Sequence, residues 1–125
     1  MLAVCGIVRR KGRVLMCKRG AGTLFPGFWE LPTEILEDGE TAEDALERAF
    51  FDRLTVNLRS AKPLGAVDFC FGEGGRIMGY GVELQRNFFH IYGYDDFCWV
   101  KPKNLKRLRV LPPYVTILTG INGSL

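Results

Sequence analysis

A chain of 125 residues with 47% hydrophobic content is long enough for one domain with its own core and too short for two. A net charge of +3 is too small to argue for duplex nucleic acid. The four cysteines, Cys5, Cys17, Cys70 and Cys98, form neither a C-x-x-C pair nor a metal-ligand spacing, so they read as reduced thiols of a cytoplasmic protein. In chain order, residues 2–8 and 14–18 read as two short apolar strands joined by a hairpin-like turn at Arg10-Lys11-Gly12. The apolar run at the start is about seven residues long with its basic residues after it, which fits neither a signal peptide nor a membrane span. Residues 21–27 form a Gly- and Pro-containing loop that delivers Phe25, Phe28 and Trp29, aromatics able to stack on a base or to pack in a core.

Residues 29–56, WELPTEILEDGETAEDALERAFFDRLTV, organise the chain. A strand-like start turns through Glu37-Asp38-Gly39-Glu40 and becomes a helix. Thr41 is its expected N-cap with Asp44 three residues on, and Ala45, Leu46, Ala49, Phe50 and Leu54 recur at helical spacing as one buried stripe. Arg48 and Asp52 are four apart, and Ala49, Asp52 and Arg53 sit at i, i+3 and i+4, so each set shares a side of the cylinder. Nine of the 14 acids fall between Glu30 and Asp52, while basic residues gather at Arg9–Arg19 and Lys101–Arg109. This distribution suits a phosphate-bearing ligand as well as it suits a solvated surface.

After the helix, residues 59–63 read as a connector and 64–71 as a strand. Glu73-Gly74-Gly75-Arg76 is a turn signal, so 77–84 is expected to pair back antiparallel, with Gly79 and Gly81 marking a bulge or a close backbone approach. Residues 88–92 are expected to continue the sheet, and the lone His90 there reads as packing rather than chemistry. Residues 97–100 read as the last strand, 102–109 as a basic loop, and 114–118 as a weak helix because Val115, Thr116 and Ile117 are β-branched.

The frame of residues 29–56 resembles the Nudix box of MutT-like hydrolases, whose pattern is Gly, five residues, Glu, seven residues, then Arg-Glu-apolar-x-Glu-Glu-x-Gly-apolar. Glu40, the spacing of seven, Arg48, Phe50 and Val56 match, and so does the lead-in Trp29-Glu30-Leu31-Pro32. Thr33 and Glu34 replace a Gly-Gly pair, Ala49 and Arg53 replace two glutamates, Asp52 shortens another, and Thr55 replaces the closing Gly. Trp99 matches a tryptophan common in the MutT branch, and Gly93 fills a position where several members carry a carboxylate.

The resemblance implies a single Nudix-type α/β/α sandwich with a mixed β-sheet over residues 1–125. It implies pyrophosphohydrolysis of a nucleoside di- or triphosphate or a derivative with Mg²⁺, in a monomer or homodimer that engages neither duplex nucleic acid nor a membrane. By the same route Glu40, Arg48 and Asp52 are the candidate catalytic groups, and Arg19, Arg53 and Glu30 the candidate substrate contacts. Asp52, Glu40 and Thr33 are the candidate, weakened metal ligands. Hydrolysis of a diphosphate needs a cation held by several oxygens and a metal-activated water. Ala49 offers no ligand and Arg53 sets a permanent positive charge beside Asp52, so metal affinity is expected to fall and hydrolysis to be lost or strongly weakened. Arg53 then either grips a phosphate in the cation's place or pairs with Asp52 or Asp44 on a solvated face. Arg48 and Glu40 either take part in catalysis or form an ion pair tying loop to helix. The alternatives are an active enzyme whose metal is held by Glu34, Glu37, Glu40 and Asp52, and a non-catalytic interaction module.

Overall fold

The computed structural model describes residues 1–70, 73–87 and 89–120. Its centre is a pair of strands that are apolar on both faces, β1 (Leu2–Ile7) and β3 (Arg13–Arg19). Because side chains alternate along a strand, Val4, Val8, Leu15 and Cys17 point into one core while Ala3, Cys5, Ile7, Val14 and Met16 point into the other. Each core is closed by one helix, α1 (Ala42–Leu54) on the first and α2 (Pro112–Gly120) on the second. Covering both faces is what makes these strands read as unbroken apolar runs.

Two sheets result. One is mixed, in the order β5 (Thr33–Ile35), β1, β7 (Gly75–Leu84), β6 (Leu58–Phe69), with β1 parallel to β7 and the other pairs antiparallel. In the other, β3 carries β2 (Arg9–Arg10) and β4 (Trp29–Glu30) along one edge and β8 (Tyr94–Val100) along the other, all antiparallel. The expected hairpin is therefore much smaller than the two apolar runs. Lys11 at φ 51° and Gly12 at φ 76° make a tight turn between β2 and β3, whereas β1 belongs to the other sheet. Val8 is where the chain crosses over, its carbonyl accepting from the Leu15 amide at 3.0 Å.

Helix α1 matches its sequence pattern. The Thr41 hydroxyl accepts from the Asp44 amide at 3.1 Å, and Ala45, Leu46, Ala49, Phe50 and Leu54 are buried. Gly6 on β1 provides the seat for it, since a Cβ there would lie 2.3 Å from Phe50 Cε1. The helix stops at Thr55 in the left-handed conformation (φ 53°, ψ 40°), whose amide donates back to Phe51 at 3.0 Å.

Several expected boundaries shift. Residues 59–63 are strand rather than connector, since β6 begins at Leu58 and pairs with β7 through two register shifts. One shift falls opposite Glu83–Leu84 and the other opposite Gly79–Tyr80, while Gly81 pairs regularly with Lys62. An added Cβ at Gly79 or Gly81 would meet Ile117 or Leu64 at 3.1 Å, so close approach explains both glycines. Of residues 88–92, Phe88 lies outside the described residues and the rest form no strand. Instead His90 and Tyr92 donate their amides to the carbonyls of Leu54 and Arg53, capping the end of α1, and the His90 side chain is exposed rather than packed. The last strand starts three residues earlier than expected, at Tyr94. The basic segment after it holds a 3₁₀ helix, Pro102–Arg107, rather than a loop. α2 forms despite its β-branched residues because Tyr114, Ile117 and Leu118 are buried, with Pro112 opening its first turn. The four cysteines are free, and burial pushes the Cys5 and Cys17 thiols far up, leaving them inert.

Candidate functional site

The polar face of α1 meets β5 and the loop before the helix through two arginines. Arg48 clasps Glu40 with two bonds, Nε to Oε2 at 3.1 Å and Nη2 to Oε1 at 3.0 Å, and donates to the Ile35 carbonyl at 2.8 Å. Its Nη1 also stands 3.3 Å from Glu34 and 3.7 Å from Glu37. Hydrogen bonds from Arg48 and from the Glu37 amide hold the Glu40 carboxyl below its usual range, and the pairing with Glu40 holds Arg48 firmly charged. Glu40 and Arg48 thus form the loop-to-helix tie.

One helical turn on, Arg53 Nη2 contacts the same Glu34 Oε2 at 3.1 Å. Its guanidinium lies 5.7 Å from the Tyr94 ring centroid, its stem passes 3.5 Å from where a Gly93 Cβ would be, and its Nε is buried without a partner among the described residues. Burial opposes the charge on Arg53, but Tyr94, Glu34 and Glu30 outweigh it and the group stays protonated. The expected partners Asp52 and Asp44 are not the ones it takes. Glu34 wins because it stands on β5, across from the C-terminal half of the helix.

A second polar cluster lies beside the first. Glu30, 2% exposed, accepts from Arg19 Nη1 at 2.6 Å and from the Tyr94 hydroxyl at 2.8 Å. Burial raises its carboxyl above the ordinary range, opposed by Arg19, Tyr94 and Arg53. The Thr33 hydroxyl donates to the Leu31 carbonyl at 2.7 Å and shares a hydrogen bond of 2.7 Å with the Tyr114 hydroxyl. Between these clusters is a pocket of about 270 Å³ whose polar wall is Arg19, Glu30, Thr33, Glu34, Arg53 and Glu73. Leu24, Phe25, Phe69, Ile77, Leu111 and Tyr114 line its apolar side. Of the loop aromatics only Phe25 reaches the pocket. Phe28 lies under Arg109 at 4.4 Å, and Trp29 exchanges backbone hydrogen bonds with Arg109 and Leu111.

The proposed metal ligands do not converge. Thr33 is committed to Tyr114 and Leu31, Glu40 to Arg48, and Asp52 is exposed with no ion pair among the described residues. Ala49 is fully buried against the core rather than facing the pocket. Among the described residues no three His, Cys, Asp or Glu side chains are grouped to hold an ion. Glu34, Glu37 and Glu40 do gather, but around a guanidinium. Such a donor set does not fit Mg²⁺, which asks for several free oxygens in octahedral array. Sequence reading missed Tyr94 and Tyr114, which reach the site only through the pairing of β8 with β3 and the docking of α2.

Two helices enclosing mixed and antiparallel sheets, with an arginine-bearing helix at the mouth of a pocket, define the Nudix architecture. Solved structures share it. A MutT NUDIX hydrolase from Burkholderia pseudomallei superposes with a TM-score of 0.85 at 21% identity, covering 94% of this chain and 95% of that one. The NUDIX domain of Shewanella oneidensis NrtR complexed with ADP ribose gives 0.73 at 18%, covering 99% and 85%. The model of the NUDIX domain matches residues 3–120, and the chain belongs to the Nudix family. The nucleoside triphosphatase NudI of Klebsiella pneumoniae subsp. pneumoniae is 30% identical over 120 residues, covering 82% of this chain and 83% of that one.

Proposed function

We propose that the pocket takes a nucleoside di- or triphosphate, or a derivative of one, by its phosphates, and that hydrolysis is lost or greatly weakened. The observation that carries this is Arg53, a fixed cation on the pocket wall at the helix position where the family pattern has a carboxylate. A guanidinium has five N–H donors in a planar fork, and one from Arg53 goes to Glu34. Its Nε–H is buried, and the remaining N–H groups on the two Nη atoms suit phosphate oxygens directly, with Arg19 facing the same space. Arg48 and Glu40 act as positioning residues that set β5 against the helix.

Nudix hydrolases generally depend on a divalent metal, which supplies charge neutralisation and an activated water. Here Glu34, Glu37 and Glu40 are occupied by Arg48, so the reading in which they and Asp52 share an ion requires that network to be dismantled. The likeness to a NUDIX domain complexed with ADP ribose favours binding as a function in its own right. No helix among the described residues is long and apolar enough to cross a membrane, and we assign the domain to the cytoplasm as a monomer or homodimer.

The test is release of phosphate or pyrophosphate from a nucleotide panel with Mg²⁺ or Mn²⁺, beside calorimetric binding in EDTA. Binding with turnover far below 1 s⁻¹ is expected. Turnover of about 1 s⁻¹ or more, within the ordinary enzyme range, would overturn the loss of hydrolysis. Failure of every nucleotide to bind or to raise the melting temperature would leave an interaction module.

A further inference from the structure

Away from the pocket, the surface where β2 meets the 3₁₀ helix is lined by cations. One cleft is walled by Arg13, Lys101, Lys103 and Arg107, with Trp99 and Asn104 between them. A second holds Arg9, Lys11 and Arg13 beside Pro102, and a third holds Arg9, Arg10, Arg59 and Arg86 beside the single acid Glu83. Arg13 is shared by the first two clefts and Arg9 by the last two, so the three form one continuous track. None of its residues lines the nucleotide pocket.

Arg13, Arg59, Arg86, Lys101, Lys103 and Arg107 are exposed and stand in no ion pair among the described residues. The acids that balance the net charge cluster instead around α1. Like charges crowded along clefts raise the local potential and attract a polyanion. Trp99, half-buried beside Phe89 with ring centroids 6.4 Å apart, lines the first cleft with its remaining exposed surface, and the Arg10 guanidinium lies 4.8 Å from its ring centroid. Cations alternating with an aromatic ring are the parts of a stacking platform for bases.

We propose that this track binds a single-stranded nucleic acid, its phosphates along the three clefts and a base against Trp99. A flexible strand can follow linked concavities, which a stiff duplex cannot. Among the described residues the large exposed apolar side chains, such as Leu24, Ile35, Phe51 and Tyr92, line none of the three clefts, so no described anchor of the kind that seats a protein on a lipid surface flanks the track.

The test is fluorescence anisotropy of the full chain with a labelled oligouridylate of about 20 nucleotides, titrated at several salt concentrations. With about four to six phosphates contacted, log K is expected to fall with log salt at a slope of about −3 to −4. The triple variant Arg13→Glu, Lys103→Glu, Arg107→Glu, with an unchanged melting temperature, is expected to lose at least tenfold in affinity and about two units of that slope. In Trp29→Phe, where Trp99 is the remaining tryptophan, the strand is expected to quench the emission. Saturating ADP, which on the proposed function occupies the pocket, is expected to leave strand affinity unchanged, and competition by ADP would overturn a separate track. No binding at about 50 mM salt, or binding indifferent to the triple variant, overturns the proposal. Equal or tighter binding of a duplex of the same length, or displacement by phosphatidylserine vesicles, overturns it in favour of a different partner.

Discussion

Replacing Arg53 by alanine separates its part in the fold from its proposed part in binding, because denaturation reads the first and ligand titration the second. In the free protein Arg53 contributes one partly buried ion pair to Glu34 and a cation–π contact to Tyr94, while its own Nε is buried without a partner. The pair and the ring contact are worth about 1 kcal/mol each at sites of this exposure, and removing the orphaned Nε returns part of that. A stability loss of about 1–2 kcal/mol is therefore expected in urea denaturation. In the complex, a charge-assisted hydrogen bond to phosphate is worth about 1.5–3 kcal/mol, so Kd is expected to rise about ten- to a hundredfold. Calorimetry in EDTA reads this without interference from metal. Arg53→Lys keeps the charge but not the fork, and is expected to recover only part of the loss. If Arg53→Ala leaves Kd within about twofold while the protein stays folded, Arg53 does not contact the ligand and the phosphate-gripping reading is wrong.

Thr55→Gly should stabilise the protein by about 1 kcal/mol, because a β-branched residue is strained at φ 53° and glycine is not; the thermal midpoint reads it. Gly6→Ala should cost about 1–3 kcal/mol or more, since its methyl would lie 2.3 Å from the Phe50 ring, and denaturant titration measures the loss. Ala49→Glu, the substitution that restores the family pattern, should destabilise rather than create a metal ligand, because Ala49 is fully buried; a manganese titration showing tighter binding in a stable Ala49→Glu protein would contradict its placement. The Glu40–Arg48 pair should stabilise the fold above the ordinary carboxylate pKa of 4.5, because the folded-state value lies below it. The melting difference between the protein and Glu40→Gln is then expected to be full near neutrality and to vanish as pH falls through that lowered value.

Helix α1 was legible because its signals are local: Thr41 caps it and its apolar residues repeat within one turn. Strands β1 and β3 were legible as apolar runs, but their assignment to separate sheets was not, because the switch at Val8 depends on partners far along the chain. The same limit applies to the site. Asp52, Glu40 and Thr33 read as possible metal ligands from the resemblance to the Nudix box, yet a position in a motif does not say what a side chain faces. In the fold Glu34 lies between two guanidinia, and its pairing with Arg53 spans 19 positions. Only the packing of β5 against α1 decides that pairing. Once it is made, the cation these carboxylates could have held is already present as arginine, covalently part of the helix and independent of pH in the ordinary range. A phosphate entering the pocket then competes with Glu34 for Arg53 rather than bridging to it through an ion. Added Mg²⁺ should accordingly weaken nucleotide binding, by sequestering the free ligand, where a metal-bridged site would be tightened by it.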